Sequence, residues 1–521
     1  AMWPWWYHAS NKKEITREII TILVTVFALI WFLCIFRKSR KDNVQLPPGP
    51  CGLPIVGCLP FLGNNLPHEF TKLAQIYGPI YKLWLGSKLC VVINLSSLMK
   101  EVVRDQDKIF SNRDTPVATL ISTYGGIDSV FSPYGPHWKK MRKTFVHEIL
   151  SNASLDACYT FRREEVKKTI RQVYNRNIGM AIDIGELAFL TVTNAVMSMM
   201  LGETIQGESR VVGAELRKVI VEHMVILAKP NVTDLFSMLA WFDVQGMERQ
   251  SKEILQSYDK VFYSAIERHT STVATKGVGG NEQRKGFLVL LELRDHVDSD
   301  SKITITQIKA LLVDILVGGT DIVSNTVEWV MAKLIQHPKV MEKVHEELTE
   351  VVGLNNIIEE FHLPKLRYLD AVVKETLRLH PPFPLLISRC PSTSCTVGGY
   401  TIPKGTTVHL NVGAMHKDPD LWGNPLEFRP ERFLNDPNLF DFHGNNLQYL
   451  PFGSSRRICA GIPLAEKMLM HVVASLMHSF KWGLPPGQVL DFSDKFGIVV
   501  KKKNPSVAIP TPRLSNLELY E

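Results

Sequence analysis

The sequence PFGSSRRICAG, residues 451–461, places one cysteine, Cys459, between a basic pair and an apolar run that continues to residue 480. Cationic neighbours and a following helix N-terminus lower the pKa of a cysteine thiol and so stabilise the thiolate, which is the form that binds metals. Taken alone, the stretch leaves a second interpretation open, because a free cysteine is usually a small buried hydrophobe. Cys459 is therefore a candidate metal ligand, and the rest of the chain decides between the two interpretations.

The composition describes a large globular chain. Of its 521 residues, 45% are hydrophobic and 21% are charged, which allows a large buried core. The formal net charge is +7, and part of the excess lies at residues 37–41 and 501–503. The chain carries no nucleic-acid-binding motif, so we expect no nucleic-acid partner. A basic surface that faces an acidic protein or anionic lipid fits the charge better.

An uncharged apolar run at residues 19–36 predicts a single transmembrane anchor, near the lower length limit for crossing ~30 Å of hydrocarbon. The basic cluster that follows predicts, by the positive-inside rule, a lumenal N-terminus at residues 1–18 and a cytosolic remainder. Residues 37–52 combine this basic stop-transfer cluster with a proline-rich hinge, and residues 53–521 are predicted to form one catalytic domain. Eight scattered cysteines without a CxxC pair suit a reducing compartment.

Helical periodicity dominates the body of the chain, and a hairpin of short strands is predicted at residues 80–94, so the fold is expected to be mainly α with a minor β portion. The longest helical candidate runs from Thr304 to His337 and starts with a capping box. Its middle reads VGGTDI, residues 317–322. Two interior glycines cost roughly 1 kcal/mol each relative to alanine. A helix that lies flat against a planar ligand has a reason to accept that cost, and Asp321 would then be an acid over the ligand.

Two pairs of side chains have the spacing of a shared helix face. Glu375 and Arg378 lie three residues apart in an apolar segment, which favours a buried ion pair, and Arg432 could complete a cluster by sharing the Glu375 carboxylate. Trp138 and Arg142 lie four residues apart, and both are hydrogen-bond donors that could bind one carboxylate. A cation–π stack between them is the alternative.

In this order and spacing, the motifs resemble those of the cytochromes P450. The resemblance covers the anchor, the LPPGP hinge, the Trp138/Arg142 pair, the long helix with its glycines, the Glu375/Arg378 pair, the segment FRPERF and the cysteine stretch. It implies the cytochrome P450 fold as one catalytic domain behind a transmembrane helix, with haem b as the cofactor. It also implies electrons from NADPH through a separate NADPH-cytochrome P450 reductase, and a place in the endoplasmic reticulum membrane as a single-pass protein.

The resemblance also implies roles for individual residues. Cys459 would be the axial ligand of the haem iron. The haem propionates would be held by Trp138, Arg142, Arg389 and Arg457. A structural triad behind the haem would consist of Glu375, Arg378 and Arg432. This set argues against a protein that binds haem or another ligand without catalysis.

Within the family, the anchor, the hinge and the run LHPPFPLL at residues 379–386 resemble plant microsomal enzymes. The segments YKLWLG (81–86), PKLRYLD (364–370) and PTPRLSNL (510–517) are similar to the subgroup of the cotton δ-cadinene 8-hydroxylase. That subgroup acts on sesquiterpenes and other small plant metabolites. We therefore expect a plant specialised-metabolism enzyme that hydroxylates a small hydrophobic substrate, either sesquiterpene-like or aromatic, with electrons from NADPH.

One departure from the family pattern leaves the reaction open. The family's Gly-Gly-x-Asp-Thr ends here in Ile322, whereas the threonine hydroxyl normally assists proton delivery during oxygen activation, and isoleucine can neither donate nor accept. Asp321, Thr320 or Ser324 with ordered water, or a substrate hydroxyl, could replace it, or the enzyme could be slow and leaky. The alternative is a haem-dependent dehydratase, for example one that converts phenylacetaldoxime to a nitrile. The candidate catalytic positions are Thr320, Asp321 and Ile322.

A second departure is Ser455, where the family places a glycine that relaxes a tight bulge. Serine has a Cβ, so either the backbone tolerates it or the loop is slightly altered. We expect haem binding to survive this change.

The resemblance also assigns a substrate pocket, whose residues are mostly apolar and predict a small apolar or aromatic substrate. For Leu385 and Leu386, ordinary core packing is an equal alternative. The predicted pocket residues are Ile121, Tyr124, Val317, Ile322, Phe383, Leu385, Leu386 and Ile498.

Overall fold

The computed structural model describes residues 17–31, 45–202, 208–239, 241–276, 286–287, 303–435, 439–495, 497 and 499–521. Most of the predicted lumenal segment, the end of the predicted anchor, the basic cluster after it and Ile498 lie outside the described residues. Within them the chain is mainly helical with short strands, as the sequence predicts.

Helices form where the sequence has apolar residues at helical spacing, and prolines or glycines often mark their ends. The described α-helices, numbered in chain order, are α1 (17–31), α2 (Leu66–Tyr77), α3 (Ser96–Lys100), α4 (Val117–Ser122), α5 (Pro136–Thr144), α6 (Asn152–Ala157), α7 (Tyr159–Asn177), α8 (Ile184–Leu201), α9 (Glu208–Ala228), α10 (Val232–Leu235), α11 (Met247–Lys276), α12 (Ile305–Gln336), α13 (Pro338–Val351), α14 (Arg367–Leu379), α15 (Val412–Met415) and α16 (Ile462–Ser479).

The strands are short and form small sheets. In the first sheet, β1 pairs with β2 in the predicted antiparallel hairpin, and β2 pairs in parallel with β6. A second sheet has the order β3-β10-β7, and β4-β5 and β8-β9 form two-stranded ribbons. The described strands are β1 (Ile80–Leu85), β2 (Lys88–Ile93), β3 (Ile182–Asp183), β4 (Cys395–Val397), β5 (Tyr400–Ile402), β6 (Thr407–Leu410), β7 (Phe480–Gly483), β8 (Asp494–Lys495), β9 (Lys501–Lys502) and β10 (Val507–Pro512).

The long helix α12 is the axis of the core. It begins at the predicted capping box, in which the Gln307 N–H donates to Thr304 Oγ1 at 3.2 Å and the Thr304 N–H donates to Gln307 Oε1 at 3.0 Å. Its 32 residues pack against α8, α14 and α16, and most of their side chains are buried. Proline cannot continue the helix, and Pro338 starts α13 directly after it. This buried axis brings the VGGTDI segment into the centre of the domain.

The helix α1 differs from the core helices because its apolar side chains are exposed. Ile19, Leu23, Phe27 and Trp31 are each about half exposed or more. Within the described residues, two helices, α8 and α12, are long and apolar enough to cross a membrane, and they are 67% and 78% buried in the domain. These two are therefore core helices. In contrast, no described residue packs over the apolar side chains of α1, which remain exposed.

The end of the predicted hinge is attached to the domain. The Lys82 N–H donates to Pro48 O and the Thr401 N–H donates to Gln45 O, both at 2.8 Å. The chain after the predicted anchor therefore reaches the folded domain by residue 45, along the edges of β1 and β5.

Candidate active site

A cavity lies between the long helix α12 and the loop that carries Cys459. Its wall includes Asp314, Val317, Gly318, Gly319 and Ile322 of α12, residues 451–453 and 457–461 of the loop, and the first turns of α16. A Cβ at Gly318 would meet no heavy atom within 4 Å, so this glycine leaves the helix surface open toward the cavity. This is the feature that the glycine pair of α12 predicts.

Cys459 is held by the backbone of its loop and is open to the cavity. Its own N–H donates to Phe452 O at 3.0 Å, and its Sγ accepts the Gly461 N–H at 3.3 Å. Arg142 Nη2 donates to Ile458 O at 2.6 Å, which places a guanidinium beside the loop. Burial raises the pKa of the Cys459 thiol, whereas the Gly461 N–H and Arg142 lower it. A coordinating metal ion deprotonates a thiol outright, so this position suits a metal-bound thiolate.

Arginine side chains from four parts of the chain line the cavity. The sequence analysis predicts Arg142, Arg389 and Arg457 as ligands of the haem propionates, and all three line the cavity. Arg113, which the sequence analysis missed, joins them; it donates from Nη1 to Ile387 O at 2.7 Å and to Ser388 O at 3.0 Å. Nothing in the sequence around Arg113 marks it as a cavity residue. The arginines of the cavity wall are Arg113, Arg142, Arg389 and Arg457.

The donors of these arginines mostly end on backbone carbonyls. Arg457 donates from Nε to Ser111 O at 2.7 Å and from Nη2 to Ser132 O at 2.6 Å. Arg389 donates from Nη2 to Ser454 O at 3.0 Å and pairs with Asp107 at 3.4 Å. We call these four arginines the arginine group. Among the described residues, the Arg389–Asp107 pair is the one ion pair found between this group and a carboxylate. Four guanidinium ions thus share little negative charge.

The arginine group fits an anionic cofactor. Burial lowers the pKa of Arg389 and of Arg142. Burial and repulsion from Arg389 lower the pKa of Arg457 to about 10, and burial with repulsion from Arg457 and Arg389 lowers the pKa of Arg113 further. A dianion in the cavity would offset this repulsion, and haem b carries two propionates. The thiolate donor, the open face at Gly318 and the cationic wall together fit haem b.

Trp138 does not point into this cavity. Its indole N–H donates to Ser129 O at 2.9 Å, and its ring lies under the guanidinium of Arg457, whose Cζ is 4.6 Å from the ring centroid. A cation–π stack does occur, with Arg457 rather than with the predicted Arg142. Binding of a propionate by Trp138 stays a prediction, and it would require the indole to exchange its present acceptor.

Glu375, Arg378 and Arg432 come together as one cluster. Arg378 makes a two-pronged pair with Glu375, with N–O distances of 2.7 and 2.9 Å, and Arg432 Nε lies 3.1 Å from Glu375 Oε1. Glu375 and Arg378 are fully buried. The remaining Arg378 donors reach the carbonyls of His416 and Pro425, so the cluster ties α14 to the segment before the cysteine loop.

The three predicted catalytic positions of α12 face different ways. Ile322 lies in the cavity wall, one turn after Gly318. Thr320 and Asp321 do not, which corrects the prediction that they act over the cofactor. At about 100° per residue, Thr320 lies on the side of the helix opposite Gly318, whereas Asp321 lies only about 60° from Gly318 and its carboxylate reaches Lys501 instead of the cavity. The Thr320 hydroxyl donates to Leu316 O at 2.6 Å, and Asp321 pairs with Lys501 of β9 at 2.5 Å.

Two buried carboxyl groups meet beside the cavity. Asp314 Oδ2 accepts the Ser129 N–H at 2.8 Å, and Asp128 Oδ2 accepts the N–H groups of Val130 at 3.2 Å and Phe131 at 2.9 Å. Burial raises the pKa of both groups, and the charge of Asp128 raises the pKa of Asp314 further. Burial and mutual repulsion therefore favour the protonated form of the pair. The sequence signal was an acid inside an apolar helical run, four residues before Gly318.

Ser455 adopts a left-handed backbone with φ of 64°, the conformation that the family's glycine favours. Its hydroxyl donates to Val103 O, a contact that glycine cannot make. The loop therefore keeps the bulge, at a cost of roughly 1 kcal/mol for a non-glycine residue in this region.

The predicted pocket divides into residues that line the cavity and residues that do not. Val317, Ile322, Phe383 and Leu386 line it. Ile121, Tyr124 and Leu385 do not, and for these the prediction is wrong. Leu385 packs in the core cluster beside the hairpin β1–β2, and Leu386, whose φ is 51°, turns to the cavity instead. The Tyr124 hydroxyl donates to Asp259 at 2.8 Å, away from the cavity wall.

Other cavity residues were not foreseen. They come from α9 and from the segment between α4 and α5, where the sequence pattern is that of an amphipathic helix and a loop. A lone histidine on an apolar helix face is the one signal that could have drawn attention to this wall. These residues are Val130, Phe131, His223, Met224 and Leu227.

Comparison with known sequences identifies the family. The family described as Cytochrome P450 matches residues 47–509. Flavonoid 3'-monooxygenase from Petunia hybrida is 37% identical to this chain over 513 residues, covering 96% of this chain and 98% of the relative. Cytochrome P450 93A3 from Glycine max is 38% identical, covering 95% and 98%. The 3,9-dihydroxypterocarpan 6A-monooxygenase from Glycine max is 36% identical, with the same coverage.

Solved structures agree with this assignment. A zebra fish cytochrome P450 with abiraterone has a TM-score of 0.72 and 26% identity, covering 87% of this chain and all of the other. The plant relatives named as monooxygenases confirm the prediction of a plant monooxygenase and do not favour the dehydratase. Similarity to the sesquiterpene hydroxylase subgroup stays a prediction. This chain belongs to the cytochrome P450 family, whose members bind haem b through a cysteine thiolate and receive electrons from NADPH by way of a redox partner.

Proposed function

We propose that this protein hydroxylates a small oxygenated aromatic plant metabolite. The observation that carries the proposal is the cavity that joins Cys459 to an apolar wall of α9 and α12 side chains. The names of the relatives support the aromatic class, since flavonoids and pterocarpans are both oxygenated aromatic ring systems. A sesquiterpene-like substrate, which the narrower sequence resemblance favours, is the comparison class in the test below.

Haem b, when bound, supplies the oxygen activation. In our proposal Cys459 would bind its iron, and Arg142, Arg389, Arg457 and the additional Arg113 would hold its propionates. Gly318 leaves room for the flat ring against α12. Val317, Ile322, Phe383 and Leu386 are apolar, and they exclude water from the space next to the ring while holding the substrate there.

Proton delivery in this enzyme is proposed to start from Asp321. The hydroxyls nearest to Ile322 along the helix are already donated to backbone carbonyls, that of Ser324 to Asp321 O at 3.1 Å and that of Thr326 to Ile322 O at 2.8 Å. Asp321 pairs with Lys501, whose side chain is 45% exposed to solvent. This pair connects the interior of α12 to bulk water, and ordered water would complete the path to the cavity.

The membrane placement rests on exposed apolar side chains. We propose residues 19–36 as a single anchor in the endoplasmic reticulum membrane, residues 1–18 in the lumen, residues 37–52 as the connection and residues 53–521 as the cytosolic catalytic domain. The exposed apolar face of α1 supports the anchor. The described residues 45–52 already run along the sheet, so the connection is proposed to join the domain by residue 45.

A second apolar surface supports contact of the domain with lipid. Trp241 and Met238, in the loop after α10, are 92% and 89% exposed, and Ile55 and Phe61, in the loop before α2, are 61% and 64% exposed. Both loops adjoin the turn of the β1–β2 hairpin, since Ser87 donates to Leu235 O at 2.8 Å and the Cys58 N–H donates to Trp84 O at 2.7 Å. We call these two loops the apolar rim.

The redox partner is proposed to be a membrane-bound NADPH-cytochrome P450 reductase that docks on the surface behind Cys459. Helix α5, which carries Arg142, presents Lys139 and Lys143 to solvent. A cationic surface that backs the cysteine loop suits an acidic partner.

The test uses the full chain reconstituted with reductase, NADPH and isotopically labelled oxygen. Flavonoids, pterocarpans, sesquiterpenes and phenylacetaldoxime are offered separately, and products are analysed by mass spectrometry. We expect one labelled oxygen atom in the product of an aromatic substrate. Labelled product from sesquiterpenes alone would overturn the aromatic class. A nitrile formed from phenylacetaldoxime without label and without any labelled product would overturn the monooxygenase.

A further inference from the structure

His223 of α9 lines the cavity and has one ring nitrogen without a partner among the described residues. The residue is 1% exposed and lines the cavity between Met224 and Leu227 on one side and α12 on the other. Its Nε2 has no hydrogen-bond partner within the part of the chain that the structure describes. A buried polar atom that remains unpaired costs stability, so its presence calls for a partner that arrives with a ligand.

The other nitrogen of this ring has a partner. His223 Nδ1 lies 3.2 Å from the hydroxyl of Tyr258 on α11, and the two rings meet edge to face at 5.6 Å. Tyr258 is fully buried, and no other hydrogen bond of its hydroxyl is found among the described residues. The phenol O–H therefore has His223 Nδ1 as its acceptor. A neutral imidazole that accepts at Nδ1 carries its proton on Nε2.

The position of this donor separates it from the haem-binding groups. Helix α9 packs against α4, α8, α11 and α12, whereas the arginines that line the cavity come from other parts of the chain. One further hydroxyl of the cavity wall, that of Ser129, also lacks a partner in the described ranges, but it lies beside the Asp314 carboxyl, which can accept from it. The neighbours of His223 on its own helix face, Met224 and Leu227, offer no polar atom in their side chains.

We propose that the Nε2–H of His223 is a specificity determinant that donates a hydrogen bond to a carbonyl oxygen of the substrate, with its tautomer fixed by Tyr258. The proposal rests on the proposed aromatic substrate and narrows it to ring systems that bear a ketone. The proposal also assigns an orientation to the substrate. Because the carbonyl is held at α9, a different edge of the ring system would face the haem.

The test compares two ligands that differ by one carbonyl oxygen, flavanone and flavan. Binding of each to the full-length holoenzyme is measured by calorimetry, so that the readout does not depend on turnover. We expect the wild type to bind flavanone about tenfold more tightly than flavan. His223→Phe keeps an aromatic ring without the donor and should bring the two affinities together. Val225→Ala changes a half-exposed residue of the same helix outside the cavity wall and should keep the tenfold preference.

Tyr258→Phe provides a second variant. It leaves His223 in place but removes the hydroxyl that fixes the proton of the imidazole on Nε2. It should lower the preference for flavanone several-fold, and it answers the question if His223→Phe does not fold. An unchanged preference in the folded variants overturns the proposal. Equal binding of the two ligands by the wild type overturns it too, while labelled hydroxylation of aromatic substrates would still support the proposed function. Failure of both ligands to bind overturns the ketone class together with this role of His223.

Discussion

Lys501 Nζ lies 2.5 Å from Asp321 Oδ1, which joins the strand β9 to the centre of the long helix. The carboxylate is 8% exposed and the lysine side chain is 45% exposed, so the pair runs from the interior to the surface. Asp321 follows the glycine pair of α12, one residue before the isoleucine that replaces the family's threonine. In our proposal, protons therefore reach the cavity through the Asp321–Lys501 pair.

The first prediction is that Lys501→Met lowers the rate of product formation. Loss of the ammonium leaves Asp321 without its partner and interrupts the proposed path, and an effect of about tenfold or more is expected for a group that assists proton transfer. The rate should also become dependent on solvent isotope. Lys503→Met, an exposed lysine two residues on, is the matched control. Equal rates for the two variants would show that the Asp321–Lys501 pair has no part in proton supply.

The second prediction concerns the missing hydroxyl at Ile322. Ile322→Thr should raise the fraction of NADPH electrons recovered in product, because a hydroxyl is restored in the cavity wall one turn after Gly318. Ile322→Val removes volume without adding a hydroxyl and serves as control. Product and hydrogen peroxide are measured against NADPH consumed. The same coupling in the threonine and valine variants would mean that water and Asp321 already meet the demand for protons.

The third prediction tests the buried cluster at Glu375. Glu375→Gln leaves the buried Arg378 and Arg432 without a carboxylate, and breaking such a cluster costs about 3–5 kcal/mol. Lys343→Met, which removes an ion pair with Glu431 at 2.7 Å between half-exposed groups, should cost less than about 1 kcal/mol. Urea unfolding of both variants is compared with the wild type. A loss in Glu375→Gln as small as in the control would argue against a structural role.

Local signals explain what the sequence predicts well. The hairpin β1–β2 and the bounds of α12 follow from alternation, helical periodicity and a capping box, all of which act within a few residues. The cluster of Glu375 and Arg378 follows from their spacing on one helix face. These features need no knowledge of distant parts of the chain.

The misassigned residues depend on direction in space. Leu385 and Leu386 are adjacent and equally apolar, yet one enters the core and the other the cavity, because the backbone turns left-handed at Leu386. Trp138 has the spacing to bind an anion together with Arg142, but its indole N–H donates to Ser129 O instead. Arg113 and His223 reach the cavity through the packing of separate elements, which no local pattern encodes.

The fourth prediction places the apolar rim in lipid. Met238→Cys, labelled with a polarity-sensitive dye on the full chain in nanodiscs, should emit as in an apolar medium, because side chains at such a surface lie ~5–10 Å into the headgroup boundary. Leu426→Cys, 76% exposed in the loop next to the Glu375 cluster, should emit as in water. Both labels are placed in a Cys51→Ser background, since Cys51 is exposed. Equal emission from the two sites would contradict the membrane contact.

The fifth prediction follows from the carboxyl pair of Asp128 and Asp314. Burial, and then the charge of Asp128, raise the pKa of Asp314 above its value in the unfolded chain. A raised pKa in the folded protein means that its stabilising contribution is complete below the unfolded pKa, near 3.9, and is lost as the pH rises through the folded value. The wild type should therefore lose stability through this group as the pH rises above about 4, the unfolded value.

Asp314→Asn keeps an oxygen for the Ser129 N–H and offers an amide N–H to Asp128, and it does not titrate. Its melting temperature relative to the wild type should rise with pH across this range, by a few degrees at the alkaline end. Asp156→Asn changes a carboxylate that is 64% exposed and should leave the pH dependence as it is in the wild type. If the wild type and Asp314→Asn melt in parallel at every pH, the pair holds no proton. The cavity wall would then carry a negative charge beside the arginine group, and Asp314→Asn should lower the melting temperature by the same amount at every pH, because the four arginines lose a nearby counter-charge.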